Sequence, residues 1–180
     1  LEADVPADAF TASILGTDRG GSAVVIREDG LALTIGYLVT EAVNVRLTTH
    51  EGRTVDAHPI AVDFPTGLGL VQPLGPLGVA PLPRGKAAAV NAGDRVTAIS
   101  HGGRAHALAA RVVAKNEFAG YWEYLLDEAI YTAPATVNWS GAALLDHEGK
   151  LLGIGSLSVN DATGTDSQVP GNLFVPIDLL

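Results

Sequence analysis

The chain has 180 residues, of which 47% are hydrophobic and 17% charged, and its 11 basic and 20 acidic side chains give a formal net charge of −9. This is the composition of a globular chain that can bury a core, and its acidity excludes nucleic acid and anionic membrane as expected partners. The absence of cysteine removes disulfides and thiolate metal sites, and no stretch is long and apolar enough for a bilayer span or a signal peptide.

Residues 1–14 read as an N-terminal lead-in, the first nine of them loose. Gly20 to Ile26 is a predicted strand, Glu28-Asp29-Gly30 a hairpin turn, and Leu31 to Thr34 the returning strand. Gly36 to Val43 is expected to form a short helical turn. Val45 to Thr49 alternates apolar and polar residues as a half-buried strand does. The chain turns back at His50 to Arg53 into Thr54 to Ala57. Pro59 to Asp63 and Leu68 to Val71 complete a strand pair.

Residues 73–86 are dense in Pro and Gly and read as a linker. It divides an N-terminal lobe, 15–86, from a C-terminal lobe, 87–180. The second lobe opens with Gly93 to Ile99, then a loop at His101 to Arg104, then strand material at 108–113, 125–126 and 129–132. Asn160 to Gly171 is a polar loop, Leu173 to Ile177 a last strand, and Asp178 a candidate helix cap. Many short strands at even spacing predict an all-β barrel or sandwich.

One stretch carries chemistry. In Asn138-Trp139-Ser140-Gly141-Ala142-Ala143-Leu144 a serine is followed by three small residues, which permits a tight turn and a bare hydroxyl. With the elements upstream taken in order, the chain resembles the HtrA branch of the trypsin-like serine proteases. Leu33-Thr34-Ile35-Gly36-Tyr37-Leu38-Val39 stands where that family has Leu-Thr-Asn-x-His-Val-Val. Asp63 to Val71 stands where it has Asp-x-x-x-Asp-Leu-Ala-Val-Leu, Gly93 to Ser100 where it opens its second barrel, and Asn138 to Leu144 where it has Gly-Asn-Ser-Gly-Gly-Pro-Leu. Gly153 to Leu157 matches the strand walling its substrate pocket, and Leu173 to Ile177 its closing Gly-Phe-Ala-Ile-Pro. The resemblance covers about residues 15–178. It implies two perpendicular six-stranded antiparallel β-barrels with a cleft between them, a periplasmic or envelope location, and frequent continuation into a peptide-binding PDZ module.

Residue by residue, the resemblance keeps the nucleophile as Ser140 but puts Tyr37 at the histidine position and Gly67 at the aspartate position. A serine hydroxyl is a poor nucleophile until a neighbouring imidazole takes its proton and a carboxylate orients that imidazole. Tyrosine, with a pKa of about 10, holds its proton at neutral pH, and glycine offers no side chain. Losing the base costs on the order of 10⁴–10⁶ in turnover. The oxyanion-hole position two before the serine is Asn138 in place of a glycine.

The sequence therefore reads as an inactive member, a pseudoprotease, without cofactor. Its expected partner is an extended peptide or protein, such as an active HtrA homologue, gripped along Gly155, Ser156 and Leu157 by β-augmentation. Tyr37 is expected to close the site, either hydrogen-bonded to Ser140 or as a plain plug. Two other readings stay open: a serine endopeptidase of low or conditional activity using Ser140, with a histidine from among His50, His58, His101, His106 and His147 swinging in, and a histidine-based transition-metal module on the same fold. Against the latter, the five-residue spacing of His101 and His106 puts them on opposite faces of a strand. Trp139 reads as core filling or a recognition anchor, Trp122 as part of a sticky aromatic loop or of the barrel wall, and the Asp161–Asp166 region as a solvated loop.

Overall fold

The computed structural model describes residues 1–120 and 124–180. Its strands are short, and Gly- and Asp-rich turns join them. The N-terminal half contributes β1 (Glu2–Asp4), β2 (Asp18–Gly20), β3 (Val24–Val25), β4 (Ala32–Ile35), β5 (Asn44–Thr48), β6 (Thr54–Asp63) and β7 (Leu68–Pro73). They form one antiparallel sheet in the order β2-β1-β5-β6-β7-β4-β3. The C-terminal half contributes β8 (Arg95–Ile99), β9 (Ala107–Ala119), β10 (Leu125–Ala133), β11 (Ala143–Leu145), β12 (Leu151–Val159) and β13 (Gly171–Pro176). These close into a six-stranded barrel, β10-β13-β12-β11-β8-β9, in which β9 pairs back onto β10. Helix is confined to a four-residue α1 (Ala12–Leu15) and four 3-10 turns among the described residues.

The all-β architecture is the one expected, with a second half that is a closed barrel. The opening residues differ from expectation. Glu2-Ala3-Asp4-Val5 alternates, so Ala3 and Val5 reach the core while Glu2 stays out, and β1 pairs with both β2 and β5. The predicted strand Gly20 to Ile26 is broken between β2 and β3. The two short segments around Pro59 merge into the single ten-residue β6. A proline is tolerated there because β5 stops pairing at Ala57, so no ladder partner awaits the missing N–H on that side. Asp178 does cap a turn, but a distant one: its carboxylate accepts the N–H groups of Ala87 and Ala88.

One apolar cluster runs through both halves. It includes Leu33, Ile35, Val39 and Val71 from the sheet and Leu144, Ile154, Leu173 and Phe174 from the barrel, all essentially inaccessible. Ser22 stitches the seam: its N–H donates to Ser140 O at 2.8 Å, its carbonyl accepts Thr34 Oγ1 at 2.7 Å, and its hydroxyl accepts His101 N at 2.9 Å.

Candidate functional site

Ser140 occupies the tight turn entering β11. Ala142 N–H returns to Trp139 O at 2.9 Å, and Gly141 and Gly155 anchor the turn to β12 through Gly141 N to Gly155 O (2.9 Å) and Gly155 N to Ala142 O (2.8 Å). Gly141 has φ +71, and a Cβ there would overlap Ser22 O, so the turn needs glycine on both counts. The serine hydroxyl is thereby held at the seam, facing the 3-10 turn Gly36–Leu38 after β4.

From that turn Tyr37 reaches across. Its hydroxyl lies 2.5 Å from Ser140 Oγ and 2.7 Å from the carbonyl oxygen of Ser156. A carbonyl only accepts, so the single phenolic proton goes to Ser156 O. Ser140 Oγ–H must then be the donor to the Tyr37 oxygen. A neutral phenol oxygen is a far weaker base than imidazole, so this contact orders the serine without activating it. Among the described residues no histidine is hydrogen-bonded to Ser140.

Gly67 sits just before β7 with φ +77. The space a side chain would enter is taken: a Cβ on Gly67 would lie 2.5 Å from the ring carbons of Tyr124. Tyr124 is buried, tilts against Phe118 with ring centroids 5.6 Å apart, and is hydrogen-bonded through its hydroxyl to Ser156 Oγ. Two tyrosines thus flank Ser156, one on its carbonyl and one on its hydroxyl. Tyr124 was not legible as a site residue, because nothing in its local sequence points to a glycine 57 positions upstream. The only available signal was a crowding of aromatics around it.

Asn138 does not take a positive φ, and its N–H donates to Thr136 Oγ1 at 3.2 Å. The N–H at the position expected to serve an oxyanion hole is therefore already engaged within the loop. Gly155, Ser156 and Leu157 lie on β12 beyond its pairing with β11, which ends at Ile154; β13 continues on the other side. Among the described residues no strand covers the β11 side of β12 after Ile154.

The turn carrying Tyr37 is fixed by a buried cation. Arg19, 5% exposed, donates to Gly16 O, to Tyr37 O at 2.7 Å, to Thr40 O at 2.9 Å, and to Thr11 Oγ1 at 2.7 Å. Desolvation lowers its pKa, and the charge of Glu41 works in the opposite direction. The Glu41 carboxylate accepts Thr11 Oγ1, Thr11 N and Phe10 N. Those hydrogen bonds, the hydroxyl's first, hold its pKa below the ordinary glutamate value. A depressed carboxylate pKa stabilises the fold above the unfolded value, and that contribution is lost as pH falls through the folded value. Glu41→Gln is therefore less stable than wild type at neutral pH, and the gap between their urea midpoints closes on acidification below the glutamate range.

The remaining candidates scatter. His50 follows β5, His58 lies on β6 opposite Gln72, and His147 is in the β11–β12 turn. His101 and His106 do meet, contrary to the strand spacing argument. Gly103–His106 is a 3-10 turn, which brings the rings edge to face at 5.2 Å, with His106 Nδ1 2.6 Å from His101 O. Among the described residues no group of three metal-ligating side chains forms. Trp139 is half-buried beside the serine turn, and Trp122 lies outside the described residues. Asp161 accepts Thr163 and Thr165 N–H groups and the Thr163 hydroxyl, so it organises its own loop.

A family model described as a trypsin-like peptidase domain matches residues 21–154. No curated protein matches the chain. Among solved structures, the HtrA-type protease AlgW with a decapeptide aligns at a TM-score of 0.72 and 24% identity, covering 88% of this chain and 48% of its own. The same protease with a tripeptide gives 0.72 and 22%, covering 90% and 53%. The Rv3671c protease from M. tuberculosis, active form, gives 0.77 and 18%, covering 98% and 74%. The chain spans about half the length of those AlgW chains, and at these identities the likeness is one of fold.

Proposed function

The chain belongs to the trypsin-like peptidase domain family, and we propose that it is a non-hydrolytic member that grips an extended peptide or protein segment along the open edge of β12. The observation that carries this reading is the double contact of Tyr37. Its hydroxyl caps Ser140 Oγ and simultaneously occupies the Ser156 carbonyl. The position from which an imidazole would draw the serine proton thus holds a group that cannot draw it, and Gly67 supplies no carboxylate behind it. What is left is a β12 edge with no partner strand after Ile154 among the described residues. Gly155 is tied to the serine turn and Ser156 O to Tyr37. A peptide therefore pairs at Leu157 and takes the Ser156 carbonyl by displacing the phenol, which suits β-augmentation without cleavage. Peptide-bound relatives of the same fold support the choice of ligand class. On the family resemblance we place the protein in the cell envelope, with an active homologue as a candidate partner; among the described residues no helix is long and apolar enough to cross a membrane.

A fluorophosphonate probe tests the first half: wild type stays unlabelled under conditions that label trypsin fully. Labelling that disappears in Ser140→Ala would overturn the reading in favour of a serine endopeptidase. Fluorescence polarisation with extended peptides tests the second half. Tyr37→Phe frees the Ser156 carbonyl to accept a peptide N–H, a hydrogen bond worth about 0.5–1.5 kcal/mol. It should therefore bind peptide about 2–10-fold more tightly, and still leave it uncut. Unchanged affinity would show that peptides do not engage this edge.

A further inference from the structure

Five of the 11 cations of this chain are spoken for. Arg27 pairs with Asp29, Arg46 with Glu2, Lys115 with Glu128 and Lys150 with Glu148, and Arg19 is buried among carbonyls. Arg53, Arg84, Lys86, Arg95, Arg104 and Arg111 are different. Among the described residues none of them lies within ion-pair distance of a carboxylate, although acidic residues outnumber basic ones by 20 to 11.

Three of these six converge. Arg84, Lys86 and Arg95, with Lys150 and His147, line one cavity of about 570 Å³ on the barrel. None of its residues takes part in the Tyr37–Ser140 contacts. Arg95 stands directly across from Arg111 in the β8–β9 ladder, and like charges facing each other on one sheet face are destabilising unless something neutralises them. Arg111 itself reaches only Gly93 O, at 3.0 Å. The backbone carrying Arg84 is fixed: Gly85 N donates to Leu151 O, and Leu151 N to Pro83 O, both at 2.8 Å. The two carboxylates in the cavity wall are turned to backbone duties. Asp94 accepts Asn91 N at 2.8 Å, and Asp146 accepts Glu148 N and Lys150 N at 2.8 and 2.9 Å.

We propose that this cavity is a binding site for a small multivalent oxyanion of the polyphosphate class. Guanidinium groups present paired N–H donors that match phosphate oxygens. Arg84, Lys86, Arg95 and Lys150 outnumber the two wall carboxylates, Asp94 and Asp146, so the concavity stays net positive, and it has room for several phosphates. Binding there would also relieve the Arg95–Arg111 opposition. The site stands apart from the peptide edge, so its failure would leave the proposed function untouched.

The test is calorimetric titration of the protein with inorganic tripolyphosphate at low ionic strength. The expected result is saturable one-to-one binding that weakens steeply with added salt. The double variant Arg84→Ala/Lys86→Ala and the single variant Arg95→Gln should each weaken it by about tenfold or more, equivalent to at least about 1.4 kcal/mol. Asp94→Asn keeps an acceptor for Asn91 and removes a negative charge, and it should bind more tightly than wild type. No saturable heat into the millimolar range would overturn the proposal, as would binding unchanged in all three variants. An oligoglutamate peptide binding more tightly than tripolyphosphate would overturn the ligand class in favour of an acidic peptide.

Discussion

Tyr37→His combined with Gly67→Asp yields no hydrolysis of unfolded casein and lowers stability by about 2–4 kcal/mol, the usual range for overpacking plus a modest cost at positive φ. The substitutions restore the side chains of a proton relay on paper, but the carboxylate has nowhere to go. A Cβ at position 67 already meets the Tyr124 ring at 2.5 Å. The ring is anchored by its bond to Ser156 and its packing on Phe118, so the introduced aspartate would point away or push the barrel wall outward. Adding Tyr124→Ala removes that obstacle and frees the Ser156 hydroxyl to donate to the new carboxylate. The triple variant should react with fluorophosphonate at Ser140, recovering part of the 10⁴–10⁶ that loss of a base costs, roughly 10² or more. If the double variant hydrolyses casein as fast as the triple, Tyr124 does not fill the vacated aspartate space. If neither reacts, the engaged N–H of Asn138 marks the oxyanion hole as the remaining lesion.

Gly141→Ala should be among the most damaging single-methyl additions in the molecule, costing about 3–5 kcal/mol against a total stability of about 5–15 kcal/mol. The φ of +71 accounts for the smaller share. The larger share is the overlap with Ser22 O and the approach to Thr34 Oγ1 at 2.8 Å. Ser22 cannot step back, since its N–H and hydroxyl are committed across the seam to Ser140 and His101 and its carbonyl to Thr34 of its own sheet. Urea denaturation measures the loss. Gly52→Ala is the control: its φ is +82 but no atom lies within 4 Å of the added carbon, so it should cost only about 1–2 kcal/mol. Equal losses at the two sites would mean that backbone conformation alone, and not the contact with Ser22, demands glycine after the serine.

Local patterns were readable where a strand has one wet face. Val45-Arg46-Leu47 and the turns at Glu28–Gly30 and Glu51–Arg53 carried their own signals, and the serine turn advertised itself by its small residues. β1 went unread because four residues of alternation are too few to stand out from a polar terminus; what makes it a strand is β5 and β2 on either side. The candidate site was half legible. Ser140 and Tyr37 could be paired from spacing against a family pattern, and the structure brings their oxygens together. Tyr124 could not, because filling a space left by Gly67 is a matter of volume, and volume complementarity between distant positions leaves no periodicity or motif. Arg19 was hidden for a related reason: a lone arginine in a polar stretch reads as solvated until its carbonyl partners are seen.

The shared apolar cluster and the stitching by Ser22 join sheet and barrel across the seam. Rotating the two halves apart would expose that cluster to water and break the bonds of Ser22, so such opening is costly. Access to Ser140 is governed instead by rotation of a single phenol about its own side-chain bonds, against a turn that Arg19 holds still. The gate is one aromatic ring wide, and among the described residues its latch includes two hydrogen bonds.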